Sequence, residues 1–364
     1  MDLVVNTKGL VTELSFITSA FRSKDIGHRP EVLLTGGVGR LEMTFDDGRT
    51  LLKSSIPAEA NFESLHTVQL FSDVLLDYLK LVKDKEIRLM AGDRNTSVWH
   101  DEGSVVVPNK LYIQHPRDIL DQEVASVSVP REAMSALLSA GAFAAVKSTQ
   151  PRLGGTLLQT RPDLVRMVAT TGYVIAEVSQ THPVVATQDI VIPPMAFEQL
   201  RKLVKDADGE AVTLQRREKN FVASCGSRYF AMGVANGPFP MSYEKFFPVD
   251  PAHKIVFDAP MLSEAISRAL AVSTSKEPTV DLTFAGTDIT VTSGNGSETL
   301  AGIAGNANLA FTVNGQYLKG VLDNSPAPQI EMKANDPLMP LEFTPEWPDG
   351  QARYIVTTIR KTNA

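Results

Sequence analysis

The same order of elements can be read three times along this chain: strand, helix, several strands, then strand, helix and strands again, with a period of about 120 residues. A period that long exceeds a solenoid repeat, so each copy reads as a complete α+β domain. The first copy has a strand at Leu3 to Val5 and a helix near Lys8 to Phe21, with Leu10, Leu14, Ile17 and Phe21 at helical spacing. Strands at Glu31 to Leu34 and Arg40 to Thr44 follow, then Thr67 to Phe71, a helix near Ser72 to Val82 with Ser72 as its N-cap, and strands at Ile87 to Met90 and Thr96 to His100.

The second copy opens with Val124 to Val129, places Pro130 in a first helical turn and runs an Ala-rich helix to Lys147. Strands follow at Gly155 to Gln159 and across Leu164 to Val178, where two alternating runs flank the turn Thr170-Thr171-Gly172. Asp189 to Pro193 then leads into a helix carrying Phe197, Leu200, Leu203 and Val204, and strands at Val212 to Arg216 and Phe221 to Ser224 end the copy. In the third, Lys254 to Phe257 precedes a helix started by Asp258 and Pro260 and striped with Met261, Leu262, Ile266, Ala269 and Leu270. A hairpin at Val280 to Thr292, the run Leu309 to Val313, a helix with Tyr317, Leu318, Val321 and Leu322, and strands at Gln329 to Met332, Leu338 to Phe343 and Arg353 to Thr358 complete it. Turn formers near Asp121-Gln122 and Pro248 to Pro251 set the expected domains at 1–122, 123–249 and 250–364.

Composition narrows the function classes. With 43% hydrophobic and 21% charged residues, the 364-residue chain is of globular type, and 35 Lys and Arg against 42 Asp and Glu give a net charge of −7. That sum argues against a uniformly nucleic-acid-seeking surface and leaves room for a local basic face. Cys225 is the single cysteine, so neither an intrachain disulfide nor a cysteine metal cluster is available, which fits a reducing compartment. No basic start with an apolar leader and no run of about 18 apolar residues is present, and the expected location is cytoplasmic, with no membrane partner.

Motifs for chemistry are weak. Gly36-Gly37-Val38-Gly39 lacks the Lys-Ser/Thr ending of a phosphate loop and leads into no helix, so it reads as a hairpin turn. The histidines at 28, 66, 100, 115, 182 and 253 show no metal spacing, Asp46-Asp47 and Asp206 with Asp208 sit at glycine turns, and no G-x-S-x-G occurs. No catalytic residue, metal or cofactor is expected.

Specific runs resemble one family. Leu157-Leu158-Gln159-Thr160, Val168 to Ala176 against a usual Val-Ala-Thr-Asp-Gly-His-Arg-Leu-Ala, Ile190 to Pro193, Gly237 to Tyr243 against a usual Gly-Arg-Phe-Pro-Asp-Tyr, and Tyr354 to Arg360 occur in the family's order and spacing. Within the threefold repeat, they make the chain similar to the bacterial sliding clamp family, the beta subunit of DNA polymerase III, over essentially its whole length and most weakly in the first third. The resemblance implies three clamp-type domains per chain and a head-to-tail homodimer closing into a ring, with helices lining the hole and antiparallel sheets outside. It also implies a non-enzymatic processivity factor in DNA replication that encircles double-stranded DNA without reading sequence and tethers the replicative DNA polymerase, the clamp loader and repair proteins.

Sliding on phosphates calls for mobile cations and no base readers. Arg22, Lys24, Lys147, Arg152, Arg201, Lys202, Lys205, Arg268, Lys276 and Lys319 lie in or just after the predicted helices and are the expected DNA-facing set. Carried over by matched position, the family's partner-peptide groove falls on Leu153, Thr170, Gly172, Tyr173, Val174, Ile175, Pro240, Lys245, Phe246, Leu338, Pro340, Ile355, Val356, Thr357, Thr358 and Ile359. Trp99 and Val272 align near the family's dimer interface. Tyr173-Val174 stands where His-Arg is usual, Thr357-Thr358-Ile359 replaces Met-Pro-Met, and Lys361-Thr362-Asn363-Ala364 runs past the usual end, so a modified partner motif is expected. Such drift suits a phage or plasmid clamp as well as a divergent chromosomal one. Two other readings remain at this point: a clamp-like scaffold that binds peptides without closing on DNA, and a multidomain α+β enzyme with a site at a domain junction.

Overall fold

The computed structural model describes residues 1–19, 29–60, 66–110, 115–145, 155–183, 187–233, 239–273, 278–348 and 350–360. The chain gathers into two compact bodies, one of Met1–Arg131 with Glu198–Val234 and the other of Glu132–Phe197 with Ala235–Ala364. Among the described residues there are six α-helices: α1 (Thr7–Thr18), α2 (Ser72–Leu79), α3 (Arg131–Ala145), α4 (Pro194–Val204), α5 (Ala259–Ala271) and α6 (Gly315–Asp323). Every described strand pairing is antiparallel, so the class is α+β, as the sequence predicts.

The first body is one twelve-stranded sheet with helices against it. Strand Arg40–Asp46 alternates buried and partly exposed residues with period two, the pattern of a sheet covered on one face. The cover is apolar: Leu10, Leu14 and Ile17 of α1 and Leu75, Leu76 and Leu79 of α2 are all buried. Each such side chain contributes roughly 1.5–3 kcal/mol through the area it removes from water. Strand Thr50–Ala60 also pairs with Arg228–Gly233, joining strands from the first and middle thirds of the chain in one sheet.

The second body holds a nine-stranded and a four-stranded sheet. Strand Val174–Gln180 pairs with Gly350–Val356 in the larger one, and Thr279–Gly286 is central to the smaller. Helices α5 and α6 pack together, with Leu262, Ile266, Leu318 and Val321 buried.

Helix starts follow local chemistry. Asn6, Asp258 and Asn314 cap α1, α5 and α6 by accepting backbone N–H bonds, at 2.8 Å for Asn6 and Asp258. Ser72 does not do this. Phe71 takes the cap position of α2 without a side-chain bond, and Ser72, the first helical residue, donates its hydroxyl to the Pro30 carbonyl at 3.1 Å. The first helix ends at Thr18, and Phe21 lies outside the described residues. The glycine cluster is a hairpin turn, with Gly37 paired to Arg40 and Gly39 at a φ of +76°. No helix among the described residues is long and apolar enough to cross a membrane.

Candidate functional site

The turn Thr170-Thr171-Gly172 in the second body is built by its own side chains. Thr170 Oγ1 donates to the Val174 carbonyl at 2.8 Å and accepts the Gly172 amide at 3.0 Å, while Thr171 Oγ1 accepts the amides of Tyr173 and Val174 at 3.4 and 3.3 Å. Gly172 has a φ of +89°, where a side chain would be strained. The strand that leaves the turn runs beside the last strand, with Val174 opposite Val356 and Ile175 opposite Ile355. Beyond that register the Thr357 amide donates to the Tyr173 carbonyl at 3.0 Å and the Ile359 amide to Thr312 at 2.7 Å, so residues 357–359 bridge to strand Ala307–Asn314 of the smaller sheet.

A third wall comes from the segment after Phe239. A 3₁₀ helix at Met241–Phe246 sets Phe239, Tyr243 and Phe247 into a cluster with Leu157, Val168, Ile175 and Ile355. Its position is fixed by charge as well as by apolar contact. The Tyr243 hydroxyl donates to Glu177 Oε2 at 3.0 Å, and burial first, then the negative Glu177, push its pKa upward. Glu177 in turn lies 3.7 Å from Arg166 and 3.6 Å from Arg353, whose guanidinium carbon sits 3.9 Å from the centre of the Phe247 ring.

These three segments bring most of the expected groove residues together, in different roles. Val174, Ile175, Ile355 and Val356 are core residues, as is Thr170, and they shape the walls from beneath. Pro240, Pro340, Thr357, Thr358 and Ile359 are half-buried, and Gly172 and Lys245 are exposed. The apolar surface offered to solvent is Tyr173 (52% exposed), Phe246 (49%) and Leu338 (53%). Leu153 lies outside the described residues. One further residue belongs here: Tyr317 of α6 stacks on Tyr173, ring centres 5.8 Å apart and planes 14° apart. The sequence assigns Tyr317 only to an apolar helical stripe, since nothing local ties it to a turn 144 positions earlier.

The expected DNA-facing cations are more engaged than their spacing implies. Arg22, Lys24, Lys147, Arg152 and Lys276 lie outside the described residues. Arg201 pairs with Glu198 at 3.3 Å, and Lys202 donates to the Ser19 carbonyl at 3.0 Å, while Lys205 is exposed. Arg268 is held between Glu298 at 2.7 Å and Glu264 at 3.3 Å, contacts that raise its pKa, the Glu298 hydrogen bond most. Lys319 pairs with Asp323 at 2.7 Å and donates to Ser263 at 3.1 Å. Trp99, on strand Asn95–His100 of the first body, and Val272, just past α5 in the second, are both exposed.

Comparison with known proteins points one way. A family model described as DNA polymerase III beta subunit, central domain, matches residues 128–241. The beta sliding clamp of Caulobacter vibrioides is 26% identical over 204 residues, 54% of each chain, and that of Escherichia coli K12 is 23% identical over 249 residues, 66% of each. The chain thus spans about half the length of the first of these curated relatives and nearly two thirds of the second. A crystal structure of a DnaN sliding clamp from Pseudomonas aeruginosa superposes with a TM-score of 0.86 at 19% identity, covering 99% of this chain and 100% of that one. The DNA polymerase III beta subunit of Thermotoga maritima does so with 0.85 at 17% identity and the same coverage. At these identities the superpositions establish the fold.

Proposed function

We propose that the chain is a member of the bacterial DNA polymerase III beta-subunit family and acts as a processivity clamp. In this reading two copies, each of three domains at 1–122, 123–249 and 250–364, close head to tail around duplex DNA. Trp99 and Val272 lie at the contacts, and helices with their cations face the phosphates. The clamp catalyses nothing. It keeps the replicative polymerase near its template, so that re-encounter becomes intramolecular, and the same groove receives the clamp loader and repair proteins. The compartment is the cytoplasm.

The observation that supports the reading is the meeting of three segments in the second body, where the groove is proposed. A side-chain-built turn, the end of the last strand and a pinned 3₁₀ segment converge there, and exposed Tyr173 and Phe246 stand on two of these segments over the buried cluster of Ile175, Tyr243, Phe247 and Ile355. A short extended peptide gains from such a preformed apolar surface because little has to be ordered on binding. The Tyr173 and Tyr317 pair sets a flat aromatic wall where His-Arg is usual in the family, which favours a modified partner motif.

A second reading has one observation in its favour. Arg201, Arg268 and Lys319 already face carboxylates, which weakens the pull on phosphate and suits a scaffold that binds peptides without closing on DNA. One experiment separates them: determine the solution mass, then load the protein on nicked circular DNA with a clamp loader. A clamp is a dimer retained on the circle and lost on linearisation. A monomer that never becomes topologically linked to the circle leaves only the scaffold.

A further inference from the structure

The turn Asp46-Asp47-Gly48 of the first body repeats the three amide-to-side-chain bonds of the turn at 170–172 of the second, and lacks only the bond that Thr170 donates to the Val174 carbonyl. Gly48 has a φ of +80°. Its amide donates to Asp46 Oδ1 at 2.9 Å, as that of Gly172 does to Thr170, and Asp47 Oδ1 accepts the amides of Arg49 and Thr50 at 2.8 and 2.6 Å, as Thr171 accepts those of Tyr173 and Val174. The strand pairs that follow also correspond. Thr50 opposite Met232, Leu51 opposite Ala231 and Lys53 opposite Tyr229 match Val174 opposite Val356, Ile175 opposite Ile355 and Glu177 opposite Arg353. Each pairing is extended by one amide, Gly233 to the Arg49 carbonyl at 3.4 Å and Thr357 to that of Tyr173 at 3.0 Å.

What covers the two strand pairs differs. In the second body Phe239, Tyr243 and Phe247 lie on it and fill the space. In the first body Leu51, Val222 and Ala231 form the matching base, and Ile119 packs on it beside Tyr229. A cavity of about 540 Å³ remains, lined by Leu51, Lys53, Ile119 and Tyr229, with Leu120 on its lip 86% exposed. The chain itself therefore indicates what such a base receives: an aromatic side chain on a short segment.

We propose that this cavity is a second docking site, for an acidic peptide segment that inserts one aromatic side chain. The charge at the strand pair selects for acid. In the second body the pair presents a carboxylate to the Tyr243 hydroxyl and a cation to the Phe247 ring; in the first it presents a cation and a ring. Lys53 Nζ lies 5.9 Å from the centre of the Tyr229 ring and has no carboxylate partner among the described residues. Glu42, also at the cavity, is held by Arg40 at 2.6 Å, and Asp118 is exposed at the rim. A ligand carboxylate completes Lys53, and a ligand ring stacks on Tyr229 over the floor of Leu51.

The test uses the full chain and a fluorescein-labelled nonapeptide copying residues 239–247, with Glu in place of Met241 and Lys245. Anisotropy titration is expected to show saturable binding that salt weakens, with affinity reduced about tenfold by Lys53→Glu and also reduced by Leu120→Ser. Both positions are exposed, and unchanged melting of the variants confirms that the fold is intact. The proposal is overturned by absence of saturable binding, by binding indifferent to both substitutions, or by binding lost on Tyr173→Ala, which would place the probe in the other groove.

Discussion

Arg228 and Glu13, 215 residues apart, meet as a buried bidentate ion pair, Nε to Oε2 at 2.8 Å and Nη2 to Oε1 at 2.7 Å. Ser54 adds its hydroxyl to the same carboxylate at 2.5 Å, and Arg228 Nη1 donates to the carbonyls of Lys202, Leu203 and Lys205 at the end of α4. One guanidinium thus joins α1, a sheet strand and the open C-terminus of α4. Removing one partner leaves a buried charge alone, and Glu13→Gln is expected to destabilise the first body by about 3–5 kcal/mol. The double variant Glu13→Leu with Arg228→Met should lose clearly less than the sum of the single changes. Urea unfolding of the four proteins checks this, and additive losses would rule out the coupling.

Tyr173 is the residue on which the proposed partner choice can be tested. Its ring is half exposed yet held by Tyr317, so Tyr317→Ala should free it without touching the turn, and Tyr173→Ala should remove the stacked pair altogether. Stacked pairs contribute about 0.5–1.5 kcal/mol, so either change is expected to shift peptide affinity by several-fold. Titrating both variants with a peptide from a replication partner, beside unaltered chain, measures the effect. Equal affinity in all three would remove the stack from recognition.

Acid stability should carry a mark of Asp189. Its carboxyl is held below the usual range, first by the Arg161 hydrogen bond at 2.6 Å, and Gln159 assists at 3.1 Å. Because the folded pKa lies below the unfolded one, the unfolded chain binds the proton more readily, so the stabilisation is present above the ordinary carboxylate pKa and lost as pH falls through the lowered one. The pair is well exposed, so its contribution stays below about 1 kcal/mol. Asp189→Asn should therefore lower the urea midpoint slightly at neutral pH and not at all near about pH 2. A deficit that persists undiminished in acid would assign the loss to packing.

The parts legible in the sequence are those in which neighbours decide. Asp258 followed by Pro260 marks the start of α5 because a cap and a first-turn proline act within one turn, and Thr170-Thr171-Gly172 marks a hairpin because its hydroxyls bond their own amides. Ser72 fails as a cap because a distant carbonyl, that of Pro30, takes its hydroxyl. The Arg228 and Glu13 pair, the Tyr173 and Tyr317 stack and the network of Tyr243, Glu177 and Arg353 were invisible for the same reason: each joins positions that only the folded sheets bring together. Ile175 and Ile355 lie in the runs that carry the resemblance, and the fold then buries both in the core beneath the turn.

Arg268 offers a direct test of the proposed hold on DNA. Glu298 and Glu264 clasp it, and the hydrogen bond to Arg268 keeps the Glu298 carboxyl below its usual pKa. A phosphate approaching α5 must displace two carboxylates from an exposed side chain, an exchange with little net gain. Glu298→Gln together with Glu264→Gln frees the cation and removes two negative charges from the same face, so DNA binding at low salt should strengthen. If Arg268 then contacts phosphate, the slope of log affinity against log salt concentration should steepen by about one unit, the counterion release of a single added contact. Affinity that rises with an unchanged slope would mean that the two glutamates act only by general repulsion, and no change at all would take α5 away from the DNA path.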